Sequence, residues 1–143
     1  MTQEDKELLL KDLCARLSYG VKIQESTLWY EGGKEIWKYR DIDLSINNIN
    51  CISIDFIKPY LFPLSSMTEK LIHEFYCMFI ENDISFEDFV ADYWNTNSFH
   101  KLLTSIDDCV GVVEWFNENH CDYRGLIEKG LAIDATNLNI YYQ

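Results

Sequence analysis

The sequence predicts an α+β fold: an N-terminal helix, a three- or four-stranded antiparallel sheet with a Gly-Gly hairpin, then a helical C-terminal half, in a single domain over residues 1–143. Three observations carry this reading. The apolar period changes from helical to alternating after Gly20, Gly32-Gly33 separates two alternating segments, and a helical period returns after Pro63. Strands followed by helices, without strict alternation of the two, argue against a parallel α/β sheet. The 48% hydrophobic content, with four Trp, nine Tyr and eight Phe, is enough for a sizeable core.

Each element has a local reason. Thr2 stands as an N-cap ahead of Glu4 and Asp5, which favour the positive end of the helix dipole. Leu9, Leu10, Leu13 and Leu17 recur at helical spacing, and Gly20 sits where a left-handed cap is wanted, so the first helix spans about residues 3–18. Around Gly32-Gly33, a two-residue turn puts Glu31 opposite Lys34, Trp29 opposite Ile36 and Leu28 opposite Trp37. Ile36, Ile42, Leu44 and Ile46 stay in phase, which extends the second strand. After the turn residues Asn47 to Asn50, Ile52, Ile54 and Phe56 alternate with Ser53 and Asp55 as a further strand. Pro59 and Pro63 then close the sheet, because proline donates nothing to a ladder.

In the second half, Ser66 or Thr68 caps a helix with apolar rows Leu71, Phe75, Phe79 and Ile72, Tyr76, Ile80. Ser85 with Asp88 three residues on opens another, carrying Phe86, Phe89, Val90 and Tyr93. A helix from about Ile106 to Asn119 is expected to bury Ile106, Cys109, Val110, Val113 and Phe116. Asp122 is expected to cap a short last helix ending at Gly130, with Leu131-Ala132-Ile133 returning as an edge strand.

Three stretches resemble a family of small uncharacterised proteins from gut Bacteroidetes and their phages. They are Leu9-Lys-Asp-Leu-Cys-Ala-Arg-Leu-Ser-Tyr-Gly-Val-Lys22, Ile57-Lys-Pro-Tyr-Leu-Phe-Pro-Leu-Ser-Ser-Met-Thr68 and Asp122-Tyr-Arg-Gly-Leu-Ile-Glu-Lys-Gly-Leu-Ala-Ile133. The resemblance leaves out the hairpin, and members of that family carry Pro where Ser18 stands. It implies a bacterial or prophage, cytoplasmic setting and no particular chemistry. The acidic, polar N-terminus and the lack of any apolar run of ~20 residues point to the same compartment. So do five widely spaced cysteines without a C-x-x-C pair, which suit a reducing environment.

Charge is the strongest functional signal. The formal charge is −12, and residues 71–143 hold 13 acidic side chains against 3 basic ones, whereas residues 1–70 hold 11 against 9. Such a one-signed half repels nucleic acid and attracts basic partners.

Asp41-x-Asp43-x-Ser45-x-Asn47 carries the first ligands of a calcium loop, but Ile46 and Ile52 stand where that loop needs Gly and Glu. A polar strand face accounts for the same residues. His73 and Cys77, with His120 and Cys121, have zinc-like or Cys-His catalytic spacing. The first pair falls off the apolar rows, and acidic neighbours raise a thiol's pKa instead of activating it. Asp107-Asp108, Asp88/Asp92 and Glu114/Glu118 are paired carboxylates without a phosphate cradle. Tyr123, Arg124 and Lys129 read as basic residues pairing nearby acids. Neither a catalytic residue, a metal nor a cofactor is therefore expected.

What remains is a non-enzymatic protein-binding or accessory module presenting an acidic helical face to a basic partner. Its candidate residues are Asp107, Glu114, Glu118, Asp88 and Asp92, with Trp115 as the exposed anchor. The competing readings are a small metal-dependent enzyme using clustered carboxylates and an acidic mimic of nucleic acid.

Overall fold

The computed structural model describes residues 1–80, 84–95 and 108–141. In chain order the elements are α1 (Gln3–Arg16), β1 (Lys22–Glu31), β2 (Lys34–Asp43), β3 (Ile57–Leu61), α2 (Glu69–Phe79), α3 (Phe86–Phe89), α4 (Cys109–Glu118) and β4 (Ile133–Asp134). The fold is α+β, as predicted. Its sheet has the order β2-β1-β3-β4 and is mixed: β1 runs antiparallel to β2 and β3, whereas β3 and β4 are parallel. This corrects the expectation of a purely antiparallel sheet.

The chain divides into two compact units, Met1–Leu61 with Arg124–Gln143, and Phe62–Tyr123. Unit 2 is thus an insertion in unit 1, and it supplies the long connection that a parallel β3–β4 pair requires. Its two ends are tied together: Phe62 N–H donates to the His120 carbonyl at 2.9 Å, and Asp122 N–H donates to the Phe62 carbonyl at 2.8 Å. Adjacent ends of this kind are what allow one compact unit to be inserted in the sequence of another.

In unit 1, Thr2 caps α1 in a reciprocal box with Asp5, whose carboxyl is held below its usual range by the hydroxyl and backbone of Thr2. Gly20, at φ 72, ends the helical segment as expected. Leu9 and Leu13 of α1 pack with Ile23, Ile57 and Leu61 of the sheet and with Leu126, Leu131 and Ala132. One charged cluster lies inside this unit. Asp12 accepts from Arg16 Nε at 2.7 Å and Nη2 at 3.0 Å, and Arg124 Nε lies 3.2 Å from the same carboxylate. Asp12 and Arg16 have no exposed surface, so their opposite charges and hydrogen bonds must offset a large desolvation cost. Arg124 therefore does pair with an acid, as its sequence context suggested. The C-terminal segment also packs, since Tyr141 Oη donates to the Tyr60 carbonyl at 2.7 Å and accepts from Lys22 N–H at 3.1 Å.

Two sheet predictions are corrected here. Residues 52–56 are not a strand. Asn48 turns the chain by accepting from Ser45 N–H and donating to the Asp43 carbonyl, and short 3-10 turns follow over Ile49–Cys51 and Ile54–Phe56. These turns let Ile49, Ile52 and Ile54 all lean on the unit 1 core. The third strand comes later and contains Pro59, paired with Ile23. β4 reaches only Tyr60 and Leu61, so on that side the ladder asks no donor of Pro59.

Unit 2 is organised by aromatic rings. Phe75 lies 5.0 to 6.1 Å from Phe79, Phe89, Trp94, Trp115 and Phe116, in stacked, tilted and edge-on arrangements. Thr68 caps α2 and Ser85 caps α3, which continues as a π-helical stretch over Val90–Trp94. Trp94 Nε1 finds the Leu64 carbonyl at 3.1 Å. The stretch 122–130 forms turns and no helix, with Gly125 at φ 71 reversing the chain where Asp122 was expected to start one.

Candidate functional site

The predicted acidic face is only partly present. Asp88, Asp92, Glu114 and Glu118 are exposed, whereas Asp107 lies outside the described residues, as does Ile106. Trp115 is 3% exposed, with its ring edge-on to Phe75 at 5.1 Å, so it cannot act as the exposed anchor. α4 is rolled relative to the sequence reading: Val112, Trp115 and Phe116 point inward, Cys109 is exposed, and Val110 is 70% exposed. Burying an indole removes far more apolar area from water than burying a valine, so the helix turns its Trp inward. Asp108, one of the paired carboxylates, is occupied as the α4 cap and accepts from Gly111 N–H at 2.9 Å.

The cysteine and histidine pairs do not converge. His73 Nδ1 lies 3.5 Å from Cys77 Sγ on the exposed side of α2, while Cys121 is buried with Sγ 3.5 Å from Met67 Sδ. Among the described residues, no three His, Cys, Asp or Glu side chains gather closely enough to hold a metal ion. No described helix is long and apolar enough to cross a membrane.

A different surface stands out, on the β1–β2 hairpin. The turn is built as predicted, with Gly32 at φ 59 and Gly33 at φ 78, and all three predicted cross-strand pairs form. Only glycine adopts both positive angles readily, which sets the register of all ten pairs. From Thr27 to Asp41 every residue except Leu28 is exposed. The exposed aromatic residues among those described are Trp29, Tyr30, Trp37, Tyr39 and Phe56, all on this hairpin or beside it.

Pleating sorts the side chains onto two faces. One face carries Ile23 and Ile42 at its base, where the core covers them, then Glu25 paired with Arg40 at 2.5 Å, and Lys38 Nζ 4.7 Å from the centre of the Trp29 ring. The other face carries Gln24, Ser26, Trp37, Tyr39 and Lys58, which with Phe56 line a hollow of about 550 Å³. Trp37 and Phe56 stand 6.2 Å apart across it. Beside the hollow, Gln24 Nε2 donates to Tyr60 Oη at 3.0 Å, and Tyr60 Oη donates to Asp41 Oδ1 at 2.6 Å. Burial first, then the Asp41 carboxylate, pushes the Tyr60 phenol up to about 12. A phenol held protonated there is neither a base nor a useful acid near neutrality, so the trio orients side chains instead of moving protons.

Sequence reading missed this surface although its signal was present. Trp29-Tyr30 and Trp37 with Tyr39 place large rings on both faces of a two-stranded ribbon, more than a single covering layer can bury. No protein-family model, curated protein or solved structure matches this chain.

Proposed function

We propose that this chain is a non-enzymatic protein-binding module for a basic partner, in a bacterial or prophage accessory setting, and that the hairpin is where the partner docks. The observation that carries the proposal is the concentration of the exposed aromatic residues described on one hairpin and, at Phe56, beside it. Trp and Tyr in such a patch bury large area at low conformational cost, which is why they dominate binding hot spots. Glu35 and Asp41, on the face that carries Trp37 and Tyr39, and the chain's formal charge of −12 select for a basic partner and steer its approach. The exposed acids Asp88, Asp92, Glu114 and Glu118 add to that long-range field without needing an anchor of their own.

The test is affinity capture from a bacterial lysate with the full chain and with the double variant Trp37→Ala, Tyr39→Ala. A basic protein retained by the wild type, lost by the variant, and associating more slowly as salt rises is the expected result. An identical captured set for both chains defeats the proposal.

A further inference from the structure

β2 is an edge strand. It pairs with β1 along all ten of its residues and, among the described residues, with nothing on its other side, and nearly all of it is exposed. The backbone groups that point to that open side can be identified. In an antiparallel ladder, alternate pairs exchange both hydrogen bonds, and the residues between them direct N–H and C=O outward. Leu44 N–H donates to the Val21 carbonyl at 2.9 Å, so the hydrogen-bonded pairs are those in phase with Val21 and Leu44. In β2 these are Lys34, Ile36, Lys38, Arg40 and Ile42. The outward donors and acceptors then belong to Glu35, Trp37, Tyr39 and Asp41, and at Asp43 the carbonyl is already taken by Asn48 Nδ2 at 2.9 Å.

Charge decides what can pair there. Lys34, Lys38 and Arg40 share one face of β2, and Glu35, Asp41 and Asp43 share the other. A second copy added about a two-fold axis must lie antiparallel, with the same face up, and therefore sets residues of equal parity opposite each other. The two registers of fullest overlap set Lys38 opposite Lys38 or Arg40 and Glu35 opposite Asp41 or Asp43, like charges whose opposition is destabilising. Self-pairing, the ordinary hazard of an exposed edge, is thereby disfavoured.

Resting on the proposed binding role of the hairpin, we infer that β2 accepts a strand from a different protein, whose side chains alternate acidic toward Lys34, Lys38 and Arg40 and basic toward Glu35 and Asp41. The free backbone groups of Glu35, Trp37 and Tyr39 supply the ladder. The alternation supplies specificity, and Trp37 and Tyr39 cover the basic side of the added strand. This is strand addition, in which main-chain bonds give affinity and side chains give selectivity.

The experiment uses the full chain and two synthetic ten-residue peptides of one composition. In the first, Glu faces the basic row and Lys the acidic row. In the second, the Glu residues are grouped in one half and the Lys residues in the other. The first peptide is expected to bind at least about tenfold more tightly. On its addition, the outward amides of Glu35, Trp37 and Tyr39 should slow in hydrogen exchange, while those of Ile36, Lys38 and Arg40, already bonded to β1, should change little. Tyr39→Pro removes an outward donor without touching the β1 ladder, so it should weaken binding about tenfold beyond Tyr39→Ala. No binding of the alternating peptide, equal binding of both peptides, or no new amide protection overturns the inference. So does a chain that dimerises through this edge. If Tyr39→Pro and Tyr39→Ala weaken binding equally, strand addition falls while docking on the aromatic face stands. Loss of the lysate partner's dependence on Trp37 and Tyr39 would instead remove the docking role itself.

Discussion

The two units spend similar side chains in opposite ways. Unit 2 turns Phe75, Phe89, Trp94, Trp115 and Phe116 inward and, among its described acids, leaves all but Asp122 exposed; its 62 residues hold 12 acidic side chains against 2 basic ones. Unit 1 is nearly balanced, with 12 against 10, fills its core with Leu and Ile, and leaves Trp29, Tyr30, Trp37 and Tyr39 outside. The ion pairs Lys6–Asp55, Arg16–Asp12, Lys22–Asp43, Arg40–Glu25 and Arg124–Asp12 all belong to unit 1. Tryptophan is thus a core element at Trp94 and Trp115 and a surface element at Trp29 and Trp37, and its worth follows from burial rather than from residue type.

That contrast is sharpest for two tryptophans. Trp115→Ala should cost about 3–5 kcal/mol, because it empties part of a close-packed aromatic core. Trp37→Ala should cost about 1 kcal/mol or less, the scale of a cross-strand pair on an exposed hairpin. Urea unfolding of both variants measures the difference; equal costs would erase the distinction between the units.

Asp12→Ala tests the balanced charge of unit 1 at its most buried point. It leaves Arg16 and Arg124 beside an empty site, and the expected loss is about 3–5 kcal/mol. A loss below about 1 kcal/mol would mean that water reaches the pair, as at a surface bridge.

The unit 1 phenols give a pH test. Burial raises Tyr141 to about 12, as burial and Asp41 raise Tyr60, against 10.0 for an ordinary phenol. In the folded chain both hold their protons where the unfolded chain has lost them. Their stabilising contribution is complete below pH 10 and is lost as pH rises from 10 to about 12. Ultraviolet titration should show these two phenols ionising near pH 12, and melting temperature should fall across the same window. Ionisation near pH 10 of Tyr60 in the folded chain, followed through Tyr60→Phe, contradicts the described contacts.

The smallest effect falls on the acidic surface of unit 2. Glu118→Lys converts an i,i+4 repulsion with Glu114 into an attraction at the C-terminal end of α4, and should stabilise by a few tenths of a kcal/mol at low salt. High salt should remove the gain.

Much of the fold was legible because it is local. Thr2 with Asp5, Gly20, Gly32-Gly33 and Ser85 each dictate their own neighbourhood through a cap or a positive φ, so those elements and the hairpin register followed from a few adjacent residues. The strand over 57–61 did not, since Pro59 argues locally against a ladder and only the place of β1 and β4 makes it acceptable. Nor did the roll of α4. Cys109, Val110, Val113 and Phe116 form as good an apolar row as Val112, Trp115 and Phe116, and the choice depended on where the aromatic ring of Phe75 already stood.

The candidate site divides in the same way. Residue order by itself determined the composition of the hairpin, its alternating charges and the acidity of unit 2, because these follow from spacing and count. The tertiary structure decided which rings were left uncovered, that β2 lies at an edge, and that the buried anchor is Trp115 while Trp37 is open. Exposure is a property of what packs against a residue, and the packing partners of a β-ribbon come from distant parts of the chain whose placement no local pattern encodes.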